Sequence, residues 1–134
     1  MDLYAENILD HFRHPRGKKR LQKPSVSQEE INHSCGDALT VDLAIDGGVI
    51  RDVGWDGSGC AISQAAMSML ADDLGGKPET HIEQMTSKDI LSILAVPVGP
   101  RRMKCAHLAL HALKNALRKM RNESPQSWSE TLSV

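Results

Sequence analysis

In Leu39-Thr40-Val41-Asp42-Leu43-Ala44-Ile45, the four large apolar residues fall on every second position. Asp46-Gly47-Gly48 then interrupts the run. A period of two is that of a strand with one buried face, and a Gly pair supplies the positive φ angles that a tight hairpin needs. Val49 to Trp55 reads as the returning strand, with Val53 and Trp55 facing inward. After Gly57-Ser58-Gly59-Cys60 the period lengthens: Ile62, Ala66, Met69, Leu70 and Leu74 lie on one helical face, which stops at Gly75-Gly76. A hairpin that feeds a helix decides the fold class.

Working outward, Tyr4, Ile8 and Phe12 recur every four residues, which predicts a first helix capped by Asp2 and ended by His14-Pro15. A third strand is placed over Glu30 to Ser34. A short helix runs over Lys88 to Ala95, with Thr86 or Ser87 as its cap. In the last helix Ala106, Leu110, Leu113, Leu117 and Met120 share an apolar face. His107, His111, Lys114, Arg118 and Arg121 form a polar stripe beside it, with His107 facing solvent. Helix, antiparallel strands, then helices is an α+β order, with the helices packed on one face of a small sheet. Residues 1–122 form one domain; the tail 123–134 is polar, contains Pro125 and is expected to be disordered.

Composition narrows the function. Sixteen Lys and Arg against seventeen Asp and Glu leave a formal charge of −1, so nucleic acid and anionic membrane are not expected partners. Aromatic residues make up 3% of the chain, too few for a surface that stacks bases. No apolar run approaches the roughly 20 residues of a membrane span. The acidic start, Met1-Asp2-Leu3-Tyr4-Ala5-Glu6, is not that of a signal peptide, and a cytoplasmic location is expected. The basic run Arg13, Arg16, Lys18, Lys19, Arg20 is read as a solvated connection, or else as a docking patch for an acidic protein.

Three cysteines remain, Cys35, Cys60 and Cys105. In a reducing compartment an odd set of separated cysteines points to metal binding or catalysis rather than disulfides. Cys60 opens a helix and Cys105 sits in the first turn of another, where the helix end favours thiolate. Glycines beside Cys35 and Cys60 leave those sulfurs accessible. Thiolates select zinc, Cu(I) or iron–sulfur centres. Asp37 is the best fourth donor, since positions i and i+2 of an extended segment point the same way. His33 is a further possible donor.

Cys35-Gly36-Asp37, Gly57-Ser58-Gly59-Cys60-Ala61-Ile62-Ser63-Gln64-Ala65 and Arg102-Met103-Lys104-Cys105-Ala106 resemble three signatures of the NifU N-terminal/IscU/SufU family of iron–sulfur cluster assembly scaffolds. Tyr4 to Phe12 with His14-Pro15-Arg16-Gly17 resembles its first helix and loop, so the likeness spans roughly residues 2–121. The resemblance implies a three-stranded antiparallel sheet and a surface site of Cys35, Asp37, Cys60 and Cys105. Such a site takes sulfur from a cysteine desulfurase, holds a transient [2Fe–2S] cluster or Zn²⁺, and passes its cargo to apo iron–sulfur proteins. Two readings stay open: a scaffold and carrier, which is not itself an enzyme, or a SufU-type zinc-dependent sulfur relay in which Cys35 is the acceptor. Lys104 stands where IscU-type members carry histidine, which is similar to SufU. The 45 positions from Cys60 to Cys105 are similar to the shorter IscU arrangement. Val96-Pro97-Val98-Gly99-Pro100 stands in place of the family's Leu-Pro-Pro-Val-Lys chaperone motif, so recruitment of the specialised heat-shock chaperone is not expected. His33 occupies a usual proline position and is a candidate for the missing imidazole.

Overall fold

The computed structural model describes residues 3–133. Helix α1 (Leu3–Arg13) precedes three strands, β1 (Val26–Asn32), β2 (Asp37–Asp46) and β3 (Val49–Ser58). Helices α2 (Ala61–Leu74), α3 (Thr80–Gln84), α4 (Ser87–Leu94), α5 (Met103–Met120) and α6 (Trp128–Leu132) follow. The sheet is antiparallel in the order β1-β2-β3. The β2–β3 hairpin turns on Gly47 and Gly48, at φ 59° and 76°, the conformation that only glycine adopts without strain at both central positions.

Alternation along the hairpin is the one expected: Leu39, Val41, Leu43, Val53 and Trp55 are buried on the inner face. A bulge between Ala44 and Ile45 resets the parity, which is how Ile50 and Val53 both point inward. Helices α2 and α5 pack on this face and on each other, and α1 packs on α2. α2 is buried on more sides than a single apolar stripe provides, and small residues such as Ala65, Ala66 and Ser68 allow the close approach.

Several expectations are corrected. The third strand begins at Val26 rather than Glu30, because Ser27, Gln28, Glu29 and Glu30 are paired to β2 despite their polarity. Residues 33–36 are a turn, not extended chain. Phe12 is 41% exposed, and Ile8 and His11 fill the inner face of α1 instead. His11 Nδ1 lies 2.7 Å from Ser68 Oγ on α2. The expected Asp2 cap and the Tyr4 side chain lie outside the described residues.

The C-terminal tail is not disordered throughout: it folds into α6. Ser127 and Glu130 form a capping box, and Thr131 is buried. Trp128 stacks on the His111 ring at 4.0 Å between centroids, and His111 Nδ1 lies 2.6 Å from Thr131 Oγ1. The polar stripe of α5 is therefore partly an interior surface. His107 too is buried, where its Nδ1–H donates to Met103 O and its Nε2 accepts from Ser87 Oγ, both at 2.7 Å. Five helical residues are too few to register as a period, and their anchors are side chains on another helix.

The basic connection is a structural tie more than a free patch. Arg16 pairs with Asp10 at 2.7 Å, and Lys18 Nζ lies 5.3 Å from the centre of the Trp55 ring. Arg20 pairs with Asp42 at 2.7 Å. Among the described residues no helix is long and apolar enough to cross a membrane.

Candidate functional site

One end of the sheet meets the N-termini of α2 and α5, and each cysteine arrives there by a different route. Cys35 is carried by the turn between β1 and β2: Asn32 O accepts from Cys35 N at 3.3 Å and from Gly36 N at 2.8 Å. Gly36 takes φ 75° to let the chain reverse into β2. Cys60 occupies the N-cap position of α2, with no side-chain bond to the helix end. Cys105 lies in the first turn of α5, directed inward by the apolar face that follows it.

The arrangement brings three donors together, with Cys60 beside one of them. Sulfur to sulfur, Cys35 and Cys105 are 3.4 Å apart. One donor atom each from Cys35, Asp37 and Cys105 lie mutually within 4.8 Å, and Cys60 Sγ is 3.9 Å from Asp37 Oδ2. In tetrahedral zinc–thiolate coordination, with bonds of about 2.3 Å, sulfurs stand about 3.8 Å apart, so Cys35 and Cys105 are spaced for such an ion with Asp37 in reach, while Cys60 falls outside that grouping. Cys35 and Asp37 approach each other through a turn, not along the extended segment anticipated for residues 35–37. His33 is exposed and does not join the grouping.

Asp37 is only 1% exposed, yet no cationic side chain pairs with it among the described residues. Cys60 N–H donates to its Oδ1 at 2.8 Å, and Oδ2 faces the sulfur of the same residue. Gly59 makes this possible: at φ 142° it passes so close that a Cβ would run into the Asp37 carboxylate.

The sulfurs differ in access. Cys35 is exposed, Cys60 is half-buried and Cys105 is buried. Burial, then the neighbouring Asp37 and Cys35, push the Cys105 thiol up, which opposes the helix-end effect anticipated from its position. A cation bound there would have to displace the thiol proton to gain a thiolate ligand. Beside Cys35 opens a cleft of about 450 Å³ whose walls include Met103, Lys104 and Leu132 of α6. Lys104 Nζ leans over the Trp128 ring, 5.7 Å from its centre.

Two features escaped the sequence reading. Asn32, 2% exposed, directs its amide Nδ2 at Cys105 Sγ, 3.6 Å away. The α6 helix borders the cleft. Neither has a periodic signal; the Asn before the Cys35 turn was the only hint of the first.

The model of the NifU-like N-terminal domain matches residues 3–126. The chain belongs to that family. The iron–sulfur cluster assembly scaffold protein IscU of Thermotoga maritima is 31% identical over 88% of this chain and 94% of its own. The zinc-dependent sulfurtransferase SufU of Bacillus subtilis is 32% identical over 87% and 90%. A crystal structure of a SUF-system scaffold candidate from Fervidobacterium islandicum superposes with a TM-score of 0.75 at 26% identity, covering 84% of this chain and 94% of that one. The three-stranded antiparallel sheet with its helices is thus the fold of the family, and a Cys/Asp group of metal-binding character lies at its edge.

Proposed function

We propose that this protein is an iron–sulfur cluster assembly scaffold and carrier. It accepts sulfur from a cysteine desulfurase and assembles or holds a labile [2Fe–2S] cluster, or a zinc ion, on Cys35, Asp37, Cys60 and Cys105. The observation that carries this reading is the buried Asp37 carboxylate, tied by one oxygen to Cys60 N–H, with Cys60 Sγ 3.9 Å from the other and the Cys35 and Cys105 sulfurs grouped with it. A structural zinc site is closed and normally built from Cys and His alone. A carboxylate donor and an exposed Cys35 belong instead to a site whose cargo leaves. The cargo's destination is an apo iron–sulfur protein docking at this edge.

A sulfur relay is the second reading, and the difference in exposure favours it. Cys35 is the sulfur a donor can reach. Its thiolate attacks the outer sulfur of the donor's persulfide, so that Cys35 gains the persulfide and the donor's cysteine leaves as a thiolate. Zinc in this reading keeps the cysteines reduced and in place. The relatives named IscU and SufU stand on the two sides of this division at almost equal identity.

Anaerobic reconstitution with ferrous iron, cysteine and a cysteine desulfurase separates them. Thiolate-to-iron charge-transfer bands that survive competing zinc are expected of the scaffold. Retained zinc with no such bands, together with faster desulfurase turnover, is the outcome that favours the relay. A protein that neither binds metal nor accepts labelled sulfur sinks both.

A further inference from the structure

Asn32 ends β1, pairs across the sheet with Asp37, and is almost wholly buried. Its side-chain oxygen accepts from Ser34 N at 3.3 Å. A backbone N–H can only donate, so this contact fixes which end of the amide is oxygen, and the NH₂ end is the one that faces Cys105 Sγ at 3.6 Å. Its backbone carbonyl meanwhile holds Cys35 N and Gly36 N. One residue therefore touches both the turn that carries the exposed sulfur and the sulfur of the buried cysteine.

We propose that Asn32 is a positioning residue for the sulfur site: its carboxamide oxygen pins the 33–36 turn so that Cys35 stands beside Cys105, and its amide N–H donates to Cys105 Sγ and draws charge from that sulfur when it binds metal. The second half rests on the metal-site reading above; the first does not. An N–H donor on a thiolate lowers the energy of the sulfur lone pairs, so losing it moves thiolate-to-metal charge transfer to lower energy. Losing the pin instead lets the turn move and separates the two sulfurs.

Asn32→Asp keeps the side-chain volume and the acceptor for Ser34 N–H and, at a pH where its carboxyl is ionised, removes the donor; Asn32→Leu removes both. Two measurements on the full chain read the two halves. In the metal-free protein, the rate at which diamide bridges Cys35 to Cys105 is followed by peptide mass spectrometry. Two thiols lose two electrons and two protons to diamide, which becomes its hydrazine. In the second measurement, Co²⁺ is titrated anaerobically and the near-ultraviolet thiolate-to-cobalt band is recorded, with circular dichroism confirming the fold. Bridging is expected to stay within about twofold of the wild type in Asn32→Asp and to fall about tenfold in Asn32→Leu. The cobalt band is expected to move to lower energy in both. A folded Asn32→Asp protein whose band is unmoved overturns the Cys105 half. Bridging that falls tenfold in Asn32→Asp, or stays at the wild-type rate in a folded Asn32→Leu, overturns the turn half. A wild-type protein with no thiolate-to-cobalt band overturns the metal-site reading together with the Cys105 half, while bridging still tests the turn.

Discussion

Asp37 and Asp42 lie five positions apart on the same strand, both buried, and their surroundings are opposite. Asp42 is on the outer face, where the chain after α1 folds across it. Arg20 Nε and a second guanidinium nitrogen donate to it at 2.7 and 3.1 Å, and Leu21 N–H and the Ser27 hydroxyl complete the set. Burial works against the Asp42 charge, but these donors outweigh it and hold the carboxyl below the usual carboxylate range. Asp37 has one backbone N–H and three cysteine sulfurs for neighbours. A buried carboxylate saturated by donors has nothing left to give a ligand; one left half-satisfied among sulfurs has an acceptor to offer a cation. The contrast separates a fastening from a site.

The comparison breaks first at Asp42. Replacing it by Ala leaves the Leu21 N–H and the Ser27 hydroxyl without their acceptor and releases the half-exposed Arg20 guanidinium to solvent, and the expected loss is about 3 kcal/mol in urea unfolding, with Co²⁺ affinity of the folded protein little changed. If affinity collapses while stability holds, the assignment of roles is reversed. Gly59→Ala is next. A side chain at φ 142° that also meets the Asp37 carboxylate is expected to cost about 2 kcal/mol, and, unlike the Asp42 change, to weaken metal binding as well.

Acid sharpens the contrast. Because the folded Asp42 carboxyl is held below its ordinary value, its stabilisation is fully present above the unfolded value of about 3.9 and is lost as pH falls through the folded one. Glu30, lowered by His111 and Gln28 against its own burial, adds in the same sense. Urea midpoints followed from neutral pH down to pH 3 and below are therefore expected to fall less steeply in Asp42→Asn than in the wild type; parallel curves would remove Asp42 from the acid limb.

The smallest stability effect is expected at Asp37→Ala, about 1 kcal/mol for the bond to Cys60 N–H. Its larger consequence is kinetic. Without the exchangeable carboxylate donor, release of bound metal or cluster to a chelator is expected to slow, and a variant that releases faster contradicts the role given to Asp37.

Much of this molecule is legible along the chain because its signals are local. The β2–β3 hairpin, α2 with its Gly75 stop, α4 with its Thr86 cap and the apolar face of α5 all follow from period and capping within one segment. Cys35, Asp37, Cys60 and Cys105 stood out because each sits at a change of backbone type. β1 was placed late because its polar residues are held by pairing with β2. Phe12, His107 and α6 were misjudged because their burial depends on what packs against them: His11 claims the α2 side of α1, and His111 and Asn115 of α5 anchor the tail.

The sequence alone determines the α+β order, the turn chemistry and the residue types of the site, since these depend on near-neighbour geometry and on the intrinsic chemistry of thiol and carboxyl groups. Only the tertiary structure decides which of two similar aspartates is spent on the fold and which is left for a ligand. It also decides which cysteine is reachable, and that a buried Asn32 reaches both Cys35's turn and Cys105's sulfur. Burial and hydrogen-bond completion are properties of elements meeting across the sheet, and residues distant in the chain set them.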